Sequence, residues 1–310
     1  MKEASLHWQR CLSKLSIIAC VLASACGGTQ PSASNAEAAQ SPLATAPAKG
    51  DPSNSLSALR EKLSAGENLS ELNLAAKGFG PALGALLAES PSLSSLISLN
   101  VSDNDLGVEG ARALSRSPYL KAVRELDLGG NDIGDEGANA LAHAAGLSGL
   151  ETLNVSGNSI ASSGASALTQ GSLSRLSSLD LSMNSIGDLG TTALENSTLP
   201  LKSLYLLGCE IGPAGARMLA QARRSNTLEV LALSGNNLGD EGVQALAKST
   251  ALSNLQTLDL CANGIGDAGA LALAQSSHLK KLKVLELFGN EIGSRGSAAL
   301  HKRFGSGLHL

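Results

Sequence analysis

From about Leu69 to Leu300 one pattern recurs: Leu-x-x-Leu-x-Leu-x-x-Asn-x-apolar. Its asparagine column reads Asn104, Asn131, Asn158, Asn184, Cys209, Asn236, Asn263 and Asn290. The intervals are 27, 27, 26, 25, 27, 27 and 27 residues. Lys77 stands one interval earlier, inside a degenerate first copy that starts at Leu69, which makes nine copies. A unit this short cannot bury its apolar face alone, so the copies must stack and cover one another. The Leu-x-Leu segments predict short parallel strands about 4.8 Å apart. The Ala/Leu-rich tail of each copy predicts a short helix on the opposite side.

Each column then has a physical reason. An inward asparagine can both donate and accept, which suits the backbone groups of the turns above and below. Cys209 is small and tolerates burial in the same place. A second column, Gly110, Gly137, Gly164, Gly190, Gly215, Gly242, Gly269 and Gly296, lies on the leucine face of the helices. Glycine costs about 1 kcal/mol in a helix relative to alanine, so its recurrence predicts packing too close for a side chain. Asp135, Asp188, Asp240 and Asp267 fall near helix N-termini, where caps and the dipole favour carboxylates. Leu308-His309-Leu310 reads as a vestigial strand closing the far end.

These residues resemble the leucine-rich repeat family. The repeat length, the cysteine in the asparagine column and the IGDEGAxALA tail look most like its ribonuclease-inhibitor-type subfamily. The resemblance implies an α/β fold: a right-handed solenoid or horseshoe of about nine repeats, 25–27 residues each. A parallel sheet would line the concave side and helices the convex side.

The N-terminus reads as an address. Lys2, Arg10 and Lys14 precede Leu15–Ala25, an uncharged run of 11 residues. A bilayer span needs about 20, so this has the length of a signal-peptide core. The run ends Leu22-Ala23-Ser24-Ala25-Cys26, which resembles the lipobox of bacterial lipoproteins, with Ala23 where leucine is commoner. That resemblance implies lipidation of Cys26 and a lipid-anchored place in the bacterial envelope. Gly27 at the next position implies transfer to the outer membrane. An ordinary secretory signal cleaved nearby is the alternative. Residues 27–54 are rich in Ala, Ser, Pro and Gly and predict a flexible tether with a reach of roughly 30 Å. Leu56, Leu59 and Leu63 share one face of a predicted short helix that caps the open end of the stack. The organisation expected is therefore 1–25 signal peptide, 26–54 lipidated cysteine and tether, 55–68 capping helix and 69–310 repeat domain.

Composition narrows the function. The chain carries a net charge of −4; the leader contributes +2, so the mature part carries −6. Acidity argues against nucleic acid, which needs a basic footprint. Five cysteines form no CxxC and pair with no histidine at ligand spacing, so neither zinc nor a disulfide framework is expected. The Gly-Gly-Asn-Asp of the third copy superficially resembles calcium-binding repeats, but its asparagine is needed inside and its period is 27, not nine. No HExxH, GxSxG or P-loop occurs. The expectation is a non-enzyme with no cofactor, no metal and no catalytic residue, probed best where the strand leucines leave room. There the later copies offer Tyr205, Leu207, Val230 and Phe288, apolar anchors of the kind interfaces use. Asp127, Asp180, Asp259 and Glu286 form a polar flank. The same residues also suit an ordinary strand surface without a ligand. Cys261, on that open face, is a candidate reactive thiol. The reading is a monomeric, membrane-anchored module that binds a protein partner on its concave face. A regulator similar to the Ran GTPase-activating proteins, and a mechanical or assembly scaffold of the envelope, are the alternatives.

Overall fold

A computed structural model describes residues 55–65, 68–222, 227–305 and 308–309. The expected signal peptide, Cys26 and the tether lie outside the described residues. Ten strands run in parallel, in chain order, as one sheet. They are β1 (Glu71–Asn73), β2 (Ser98–Asn100), β3 (Glu125–Asp127), β4 (Thr152–Asn154), β5 (Ser178–Asp180), β6 (Ser203–Tyr205), β7 (Val230–Ala232), β8 (Thr257–Asp259), β9 (Val284–Glu286) and β10 (Leu308–His309). The middle leucine of each of the first nine stands opposite that of the next, as Leu126 does to Leu99 and Leu153. The vestigial strand at the far end is β10, paired to β9 through Leu308 and His309.

Helix α1 (Leu56–Ser64) precedes the sheet and buries Leu59 and Leu63 in the common core. One helix then follows each of the first nine strands: α2 (Ala82–Ala88), α3 (Gly107–Ser115), α4 (Gly134–Ala142), α5 (Ser162–Gln170), α6 (Gly187–Glu195), α7 (Pro213–Gln221), α8 (Gly239–Lys248), α9 (Asp267–Gln275) and α10 (Ser294–Phe304). A helix is about 10 Å wide and a strand spacing about 4.8 Å. Stacking both in one solenoid therefore makes the strand side concave.

The asparagine column is buried where it was placed. Asn131 is fully buried; its Nδ2 donates to the carbonyls of Val101 at 2.9 Å, Leu128 at 2.9 Å and Gly129 at 3.2 Å. Its Oδ1 accepts from the amides of Asn104 at 3.1 Å and Leu106 at 3.2 Å. One carboxamide thus ties two consecutive turns, its own and the one before. Cys209 reproduces only the donor half, with Sγ 3.2 Å from the Leu181 carbonyl. The Ile186 amide, which a carboxamide there would serve, turns to the Asn184 carbonyl at 3.0 Å instead.

The glycine column is steric, as expected. A Cβ on Gly137 would stand 2.7 Å from Ile133 Cβ and 3.1 Å from Ala111 Cβ of α3. Glycine here removes both a clash within the helix and one between helices.

The aspartates work differently from the local expectation. Each lies in the first turn of its own helix, yet its carboxylate caps the helix one copy further on. Asp188 in α6 accepts from the Gly212 and Gly215 amides at 2.7 and 2.8 Å. Asp240 does the same for Gly266 and Gly269, and Asp135 for Ala161 and Gly164. Asp267 holds the Gly296 amide at 2.8 Å. The recipients α5, α7, α9 and α10 all start from an extended residue that offers no side-chain cap of its own. Where the preceding helix has no aspartate at that position, the next start takes another form. Gly107, Gly134, Gly187 and Gly239 then sit at φ near +60°. Their amides point forward, to the carbonyl of the next asparagine-column residue, as Gly187 does to Cys209 at 2.9 Å.

Asp188→Ala is therefore expected to destabilise by about 2 kcal/mol, the upper end for losing an N-cap, because Pro213 at the start of α7 supplies no amide and Gly212 no side chain. Asp188→Asn, which keeps one acceptor, should cost about 1 kcal/mol. Urea unfolding decides it: equal midpoints for wild type and the alanine variant would remove the cross-copy cap.

Candidate functional site

The strand face is set by alternation. Along each strand the two leucines point into the core and the residues before, between and after them point out. Tyr205, Leu207 and Val230 are half-buried on this face, and Phe288 is 72% exposed. They lie on β6, β7 and at the end of β9, so β6 and β9 are separated by roughly 14 Å at the usual strand spacing. Parallel in-register pairing puts Tyr205 beside Asp180 and Ala232.

Asp127, Asp180 and Asp259 share one row of this face, and each has a structural task. Asp127 Oδ1 accepts from the Gly129 amide at 3.0 Å, Asp180 Oδ1 from Ser182 at 2.9 Å and Asp259 Oδ1 from Cys261 at 3.0 Å. Asn73, Asn100 and Asn154 make the same bond in their own copies. This amide follows the end of the strand, where the ladder leaves it over, and a short carboxyl or carboxamide side chain is the local answer. Asp127 also accepts from Asn154 Nδ2 at 2.9 Å. Glu286 behaves otherwise: only 9% exposed, it pairs with His309 Nδ1 at 2.7 Å under the last strand.

The sequence reading missed Met183. It sits in the turn after β5 at φ +57°, where the flanking copies have Gly157 and Gly208, and it is 55% exposed. Its amide donates to the Leu207 carbonyl at 2.6 Å. Its sulfur lies 2.9 Å from where a Cβ on Gly208 would be. Met183, Leu207 and Tyr205 therefore adjoin one another. The available signal was a large apolar residue in a column otherwise held by glycine, alanine and aspartate.

Neither described thiol suits a nucleophile. Cys209 is fully buried and its pKa is pushed up to about 12, chiefly by that burial. Cys261 was a candidate reactive thiol, and the structure corrects this. Burial first, then the adjacent Asp259 carboxylate, push its thiol well above the usual range, so it stays protonated and unreactive at neutral pH.

The columns match the Leucine Rich repeat family over residues 92–115, 121–142, 149–168, 174–194, 199–220, 224–247, 251–274 and 278–300. These matches span more than half of the chain, which belongs to the leucine-rich repeat family. Among solved structures it is similar to internalin C2 of Listeria monocytogenes, at 22% identity over 81% of this chain and 82% of that one, with a TM-score of 0.41. No curated protein matches the sequence.

Proposed function

We propose that the chain is a non-catalytic module that binds a protein partner on its concave strand face and is held in the bacterial envelope, at the outer membrane, by lipid on Cys26. The observation that carries the binding reading is the exposure of Met183 beside Tyr205 and Leu207, and of Phe288 three strands away on the same face. Large apolar groups left in water on a curved surface serve association better than stability. Catalysis is not part of the reading, because the aspartates of the face are turned onto backbone amides and the two described thiols are held protonated. The closer placement in the ribonuclease-inhibitor-type subfamily rests on the 27-residue period and on Cys209 in the asparagine column. The module acts as a monomer, since α1 at one end and α10 with β10 at the other cover the core.

Cross-linking and pull-down from detergent-solubilised envelope test the site. Tyr205→Ala with Phe288→Asp is expected to release the partner, while the unfolding free energy changes by less than about 1 kcal/mol for surface positions. If every recovered protein stays bound, the face is not the site. Cys26→Ser is expected to move the protein to the soluble fraction; continued partition with membranes would remove the anchor.

A further inference from the structure

The geometry points to a cationic partner: a protein segment in which Lys or Arg alternates with a large apolar anchor, seated over Met183, Tyr205 and Leu207. This rests on the protein-binding reading of the same face and adds the chemistry of what binds there.

The first support is how charge is sorted. From β1 to β9, no Lys or Arg occupies an outward strand position or the residue just after the strand's second leucine. Glu71, Glu125, Asp127, Asp180 and Asp259 do, and so does Glu286, which is buried against His309. Lys202 and Lys283 stand one residue ahead of β6 and β9, where Lys283 Nζ donates to Gln256 Oε1 at 2.9 Å. Arg112 pairs with Glu109 and Glu136, and Arg217 with Glu241, among the helices. Arg124 faces Glu151 one residue ahead of the strands. The uncharged amides that Asp127 and Asp259 accept from orient these carboxylates without neutralising them. A concave face bearing one sign of charge attracts the opposite sign and rejects its own.

The second support is the apolar cluster inside that field. An L-residue in the left-handed region costs about 1 kcal/mol, and Met183 sits there with more than half its surface in water. Leu207 stands in a position that Ser102, Ser156, Ser182 and Ser234 fill in other copies. Neither residue is needed by the fold. A methionine beside a leucine and a tyrosine offers an adaptable apolar contact.

The repeats supply their own controls. The triple variant Asp127→Asn, Asp180→Asn, Asp259→Asn uses the residue that already makes the same bond in β1, β2 and β4. Met183→Gly with Leu207→Ser likewise uses residues native to those columns. The lipidated full chain, in neutral phosphatidylcholine nanodiscs, is titrated with a fluorescent alternating Lys/Phe nonapeptide and with its Glu/Phe counterpart, against empty nanodiscs. The Lys/Phe peptide is expected to bind and the Glu/Phe peptide not. The Asp→Asn triple should weaken binding tenfold or more at low salt, and Met183→Gly with Leu207→Ser about as much, with unfolding midpoints unchanged or higher. If the Asp→Asn triple binds as wild type while the apolar variant is weakened, the cationic assignment falls and the protein-binding reading stands. If the Glu/Phe peptide binds equally well, the assignment falls too. If the Lys/Phe peptide binds no better than to empty nanodiscs, the proposal is overturned.

Discussion

Asn131→Ala is expected to lower the unfolding free energy by about 4 kcal/mol. Unpaired buried polar groups cost about 1–3 kcal/mol each, and this side chain serves two amides and three carbonyls in two successive turns. The carbonyls have some recourse to neighbouring donors, whereas the Asn104 and Leu106 amides, both in fully buried residues, do not. The sum is therefore dominated by those two amides. Asn131→Cys should cost about half as much, because Cys209 shows that a thiol keeps a weak donor and that the neighbouring turn can redirect one amide. Hydrogen exchange should locate the damage between Val101 and Ile133, in the copy before the substitution as well as in its own. A cost below about 1 kcal/mol, the net value of an ordinary hydrogen bond, would mean that water or backbone rearrangement replaces the ladder.

Gly84→Ala is expected to cost about 3 kcal/mol, at the top of the range for overpacking. The added Cβ would lie 2.3 Å from the Gly110 carbonyl oxygen and 2.6 Å from its Cα. These are backbone atoms of α3 and cannot rotate away, so α2 and α3 must part, loosening the packing of Leu83 and Leu87, both fully buried in α2. Gly242→Ala, in the glycine column itself, is the comparison. Its nearest neighbours are Ala216 Cβ at 3.0 Å and Leu238 Cβ at 3.2 Å. A shift of a few tenths of an ångström relieves that contact, and the helix gains up to about 1 kcal/mol of propensity. Thermal unfolding of the two variants should differ plainly; equal midpoints would show that tolerance at these two glycines is not governed by helix-to-helix distance.

Columns were legible because one residue type does one job at one spacing. Leu126, Asn131 and Gly137 could be assigned to core, turn and close contact from periodicity alone, and the sheet, its parallel direction and its register followed. Relations between copies were not legible. Asp188 looks like a cap for its own helix because the nearest N-terminus in sequence is its own, but the amides it holds are 24 and 27 residues away. Gly239 and Gly266 are the same residue in the same column, yet one is left-handed and the other extended, and the difference lies in the preceding copy. On the strand face, Asp127 read as a ligand group because the leftover amide of Gly129 is invisible in sequence. Cys261 read as exposed because alternation gives the side of a strand and says nothing of how neighbours cover it. Met183 was passed over because one deviant residue in a variable turn carries little weight until its backbone angle is known.

The aspartate caps bear on how such a chain can be lengthened. A helix that carries the carboxylate and the helix that receives it must be inherited together. Transplanting α5 behind a helix without aspartate would leave the Ala161 and Gly164 amides unserved, and Ala161 is not suited to the left-handed start that Gly134 takes. The smallest block that can be duplicated or deleted without such an error is donor plus recipient: α4 with α5, α6 with α7, and the run α8 to α10, where Asp240 and Asp267 act in succession. The unit of inheritance is thus larger than the unit of folding, and breakpoints should fall ahead of donors, never between a donor and its recipient.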